Sequence, residues 1–170
     1  MPSHKSHRNI QHTPIGDKED VARILFSPSH IDNGKVGSTA FALQHLRSGA
    51  EDDISVIRLL KVDVDNLEKI VSFMKPRTEG DSLYGYCTLS VRGIRDIANI
   101  LKQDDIDGYL EVKDTCTRNN KFHASIYIYL NGQRVDADCV EPEVFYIQSL
   151  LANICSEPIP FSSSEDGSTK

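Results

Sequence analysis

Along residues 123–130 polar and apolar positions alternate, with Ile126, Ile128 and Leu130 on one side and His123, Ser125, Tyr127 and Tyr129 on the other. Successive side chains of a strand point to opposite faces, so this period predicts a strand with one buried face. Asn131-Gly132 follows directly. These two residues accept the positive φ of a type I′ turn, which predicts a hairpin whose return strand sets Val135, Ala137 and Cys139 against the apolar face. Four more stretches read as strands: VARILF (21–26), ISVIRLL (54–60), LYGYCTLS (83–90) and YLEVK (109–113). KVGSTAFALQHL (35–46) fits either a short helix capped by Ser38 or Thr39, or a strand on which Phe41 and Leu43 alternate.

Three segments carry the helical period instead. In VDNLEKIVSFMKP, Asp65 precedes Glu68 at capping-box spacing, Leu67, Ile70, Val71 and Met74 make one stripe, and Pro76 ends it. In SVRGIRDIANILKQ, Ser90 can cap while Ile94, Ile97, Ala98 and Leu101 align. EPEVFYIQSLLANI puts Pro142 in the first turn and aligns Val144, Ile147, Leu151 and Ile154. Each stripe needs cover, and the expected architecture is α+β: a single domain with a mixed or mainly antiparallel sheet, about three helices packed on it, and a C-terminal hairpin followed by a helix.

The ends break the pattern. Residues 1–20 are polar and without period, and residues 157–170 finish in Ser, Asp and Gly, so both read as flexible tails around a globular domain at 21–156. His4, His7 and His12 in the first tail read as solvated rather than as a metal site. The full chain has 170 residues, 39% of them hydrophobic, which suits one core of ordinary size. A net charge of -6 argues against a broad duplex-binding surface, because phosphate affinity comes from clustered Lys and Arg. No apolar run approaches bilayer length and no signal peptide opens the chain, so a cytoplasmic protein without membrane contact is expected. Cys87, Cys116, Cys139 and Cys155 are widely spaced, so reduced thiols, no metal and no cofactor are expected.

Candidate chemistry centres on two histidines. His123 stands where the turn-rich TRNNK meets a sheet edge, and His30 lies in SPSHID among hydroxyls, with Ser38 and Thr39 close behind. If the first strand lay beside the hairpin, the two imidazoles would share a cleft with a hydroxyl between them, suited to ligand binding or to acid/base catalysis. The bland reading has His123 bonded to a neighbouring loop. GKVGST lacks the order of a phosphate-binding P-loop. Cys87 paired with His123 would suggest a cysteine hydrolase, but Cys87 falls inside an alternating apolar segment and reads as core. The acidic groups around Asp104, Asp105 and Asp107, and from Asp136 to Glu143, match no EF-hand loop.

RILFSPSHIDNGKVGSTAF, DDISVIRL and NNKFHASI together resemble small bacterial proteins that share a His after a Pro, a small-hydroxyl-Ala-Phe segment, a short Ser-Val strand and an Asn shortly before His-Ala. The resemblance spans residues 23–128 and falls on His30, Ser38, Thr39, Phe41, Ser55, Val56, Asn120 and His123, with Gly37-Ser38-Thr39 where a Ser-Ser pair is more usual. It implies a bacterial origin and a grouping of polar residues, with no activity attached. The expected ligand- or partner-binding residues are therefore His30, Ser38, Thr39, Ser55, Asn120 and His123. Since no complete catalytic motif is present, an accessory or binding protein is the first expectation, acting with a small ligand or with a partner protein encoded nearby. The alternative is a small hydrolase or transferase for phosphate- or ester-bearing substrates, using His30, Ser38 and His123.

Overall fold

The computed structural model describes residues 10–45 and 52–162, so His4, His7 and residues 163–170 of the expected tails lie outside it. Its strands are β1 (Asp20–Ser27), β2 (Ile31–Asp32), β3 (Lys35–Val36), β4 (Ile54–Arg58), β5 (Ser82–Ser90), β6 (Gly108–Asp114), β7 (His123–Leu130), β8 (Gln133–Arg134) and β9 (Ile159–Pro160). The helices are α1 (Leu67–Val71), α2 (Val91–Gln103) and α3 (Pro142–Ile154), with a 3-10 turn at Ser38–Phe41. Seven strands form one sheet in the order β6-β7-β4-β1-β5-β9, with β8 also on β7, and all pairings are antiparallel. The fold is α+β. No described helix is long and apolar enough to cross a membrane.

The sheet buries both faces because its strands alternate two apolar sets. Val21, Leu25, Leu89, Val56, Ile126 and Ile128 meet the stripes of α2 and α3 on one side. Ala22, Ile24, Phe26, Ile57 and Tyr86 meet Leu67 and Val71 of α1 on the other. Ser90 caps α2 by accepting from the Gly93 amide at 2.9 Å, and Pro142 opens α3. β1 and β4 pair only at Val21–Arg58 and Ala22–Ile57. Past that point the fully buried Arg23 turns its guanidinium onto the carbonyls of Ala40 (2.6 Å) and Ser55 (2.8 Å), supplying donors the ladder no longer does.

Four local expectations need correction. α1 spans only Leu67–Val71, and Asp63, not Asp65, caps the turn before it by accepting from the Asp65 amide. The return strand after Asn131-Gly132 stops at Arg134, because the Ala137 amide is taken by the Asp52 carboxylate at 2.7 Å and leaves the ladder. The packed structure begins before residue 21: Ile15 is buried, and Arg58 holds the Thr13 and Pro14 carbonyls. It also runs past residue 156, since Ile159–Pro160 pairs with β5 and Phe161 is buried against Tyr86. The last contact depends on Gly85, where an added Cβ would lie 2.0 Å from the Ile159 carbonyl oxygen.

Candidate functional site

The two histidines do not share a cleft. His30 sits just beyond β1, where its Nδ1 accepts the Phe26 amide at 3.1 Å and its ring meets Phe26 edge-on. That bond requires a bare Nδ1, and burial with Arg23 nearby brings the His30 pKa down to about 4 against a weaker opposing pull from Asp81. Thr39 donates from Oγ1 to the Ser29 carbonyl, which ties the same loop together. Ser38 lines a separate shallow depression with Lys35, Ser149 and Asn153. His123 is in register with Ile57, and Ile57 with Ala22, four residues back along β1 from Phe26. That is roughly 13 Å of strand. The shared-cleft constellation of His30, Ser38 and His123 is thereby overturned. Asn120 joins neither group through its side chain in any bond described. Its carbonyl accepts the amides of Thr117 (2.9 Å) and His123 (3.4 Å), a turn role.

What His123 does meet is a chain of hydroxyls ending on a buried carboxylate. Ser55 and Ser125 face each other across β4 and β7. Both donate to Asp53, Ser55 at 3.2 Å and Ser125 through a short bond. With the single Ser125 proton committed there, the 2.7 Å contact between Thr115 Oγ1 and Ser125 Oγ has Thr115 as donor. The Thr115 oxygen then accepts from His123 Nδ1 at 2.7 Å. The network thus assigns the Nδ1–H tautomer, and His123 Nε2 is turned toward Asp53 Oδ2 at 3.9 Å. Asp53 and Ser125 are fully buried. Nδ1 is therefore taken by Thr115, whereas Nε2 lies beyond hydrogen-bond distance of the carboxylate, in a ring that is only 16% exposed. Asp53, Thr115 and Ser125 are the members that sequence reasoning missed. Only Ser125 carried a signal, its strand parity with His123.

A different feature of the same sheet is open. β6 is its terminal strand, and among the described residues β7 is its one strand neighbour. The Thr115 amide bonds His123 O, and Asp107 O accepts from Asn131, so the odd-numbered backbone groups of this stretch face β7. Backbone direction alternates along a strand, which turns the amides and carbonyls of Leu110 and Val112 outward to the free edge. The side chains of both remain in the core. On the opposite sheet face β6 presents Tyr109, Glu111 and Lys113. Tyr109 is 45% exposed and stacks on Tyr129 with ring centroids 4.6 Å apart. Glu111 accepts from the Tyr129 hydroxyl at 3.1 Å, while Lys113 and Arg134 both lie over the Tyr127 ring. At the entrance to β6 a groove of about 510 Å³ runs between Ala98, Asn99 and Lys102 of α2 and residues 105–108.

No family model, no curated protein and no solved structure matches this chain.

Proposed function

We propose that this protein is a binding module that captures an extended segment of a partner protein by strand addition to the outer edge of β6. The observation that carries this reading is the seven-residue terminal strand with the Leu110 and Val112 backbone groups turned outward. Main-chain bonds to such an edge supply affinity whatever the sequence, and alternate side chains supply selectivity. Tyr109 provides an exposed ring face beside that edge, flanked by the Glu111–Lys113 ion pair at 3.3 Å. Binding is favoured over hydrolysis because the imidazole best placed for acid/base work, His123, is only 16% exposed and has its Nδ1 taken by Thr115.

The test is selection from a displayed library of random peptides, followed by calorimetry on the full chain. Enriched peptides should bind in extended form, and Tyr109→Ala should weaken binding about tenfold, roughly 1.4 kcal/mol, as should Val112→Pro, which removes an outward amide. Peptides that bind both variants as tightly as the parent protein overturn the reading. So does turnover of a phosphoester or ester substrate that His123→Ala abolishes in a folded protein.

A further inference from the structure

We propose that His12, Asp114 and Cys116 form a binding site for a zinc-class divalent cation. The fold joins residues far apart in the chain, since His12 comes from the segment before β1 while Asp114 ends β6 and Cys116 follows it. His12 Nδ1 lies 3.6 Å from Asp114 Oδ1 and 3.9 Å from Cys116 Sγ, and all three donor atoms fall within 4.8 Å of one another. Around a tetrahedral zinc ion, nitrogen and oxygen ligands stand roughly 3.4 Å apart and nitrogen and sulfur roughly 3.6 Å apart, by the usual bond lengths of about 2.0–2.3 Å. Both observed separations come within a few tenths of an ångström of those values. Sulfur, imidazole and carboxylate together select a zinc-like ion over magnesium or calcium, which take oxygen ligands.

The two oxygens of Asp114 are used differently, and Oδ1 keeps a lone pair beyond its one amide bond. Arg58 and Lys61 hold Oδ2, at 2.9 and 3.2 Å, whereas Oδ1 faces the His12 and Cys116 side and accepts the Cys116 amide at 3.0 Å. The nearby positive charge is matched locally: Glu19 takes two nitrogens of Arg58. Cys116 is buried and the Asp114 side chain is 2% exposed while that of His12 is 56% exposed, so the first two form a floor and the imidazole closes from the solvent side. A water completes the coordination at the outer position, the usual arrangement for a three-ligand site.

Cobalt(II) titration of the full chain tests this, because a thiolate-to-cobalt charge-transfer band reports sulfur ligation directly. One equivalent of cobalt should produce the band, and zinc should erase it by displacement. Cys116→Ser should lose the band, and His12→Ala, an exposed change that leaves the fold intact by circular dichroism, should weaken cobalt at least tenfold. Cys139→Ser should keep both the band and the affinity. Absence of the band in the parent protein, its survival in Cys116→Ser, or unchanged affinity in His12→Ala overturns the proposal.

Discussion

Arg58, 2% exposed, directs its guanidinium to Glu19, Asp114, Thr13 and the Pro14 carbonyl, and so ties the chain before β1 to the ends of β4 and β6. Removing a buried charge leaves its partners uncompensated, which is costlier than never having had the pair. Arg58→Met should therefore destabilise the protein by about 3 kcal/mol or more, read from urea denaturation. Burial works to raise the Asp114 pKa, but hydrogen bonds from Thr13, Cys116 and Lys61 outweigh it and hold this carboxyl well below the usual carboxylate range. Its contribution to stability is then complete above an unfolded pKa of about 3.9 and fades as the pH falls below that value. His30 works in a higher window. Its folded pKa of about 4 lies below the unfolded value of about 6.5, so the unfolded chain binds the proton first and stability falls as the pH drops through that interval. His30→Asn, whose side-chain oxygen can still accept the Phe26 amide, should flatten the stability profile there. An unchanged slope in paired melts would refute the assignment. Residue type and strand parity made His123 visible as a polar candidate, and Ser55 entered only through the resemblance. The rest of the network was hidden because the Ser55–Ser125 register and the approach of Asp53 are set by strand order, which a single sequence does not encode locally.

At the scale of elements, what was legible followed from period and punctuation. The α2 stripe, the α3 stripe apart from the exposed Ile154, the Ser90 cap, the Asn131-Gly132 turn and the long strands came from local signals, and Asn131 and Gly132 take φ of 51° and 76° as that turn requires. The misjudged elements were those decided by distant partners: β8 was cut short by Asp52, and β9 is two residues that pair only because β5 has a glycine opposite them. Gly85→Ala should expel β9 and uncover Phe161, since the new Cβ collides with backbone rather than with a yielding side chain. Faster proteolysis after Ser156 in the variant, with the remaining sheet intact by circular dichroism, is the expected result. Unaltered cleavage would mean that the strand accommodates a side chain.

Two helices cover one sheet face and α1 covers part of the other, and among the described residues no strand lies on the outer side of β6 at the far margin. Free edges invite pairing with other chains, and proteins usually guard them with charge or short length. β6 keeps seven residues, and the groove beside α2 opens at its first residue, Gly108. Amide hydrogen exchange of the full chain, with and without a selected peptide, tests the proposed capture most directly. The Leu110 and Val112 amides should exchange readily in the free protein and become protected in the complex, while the Glu111 amide, already turned to β7, should change little. Protection that appears elsewhere and leaves Leu110 and Val112 unaltered would contradict it.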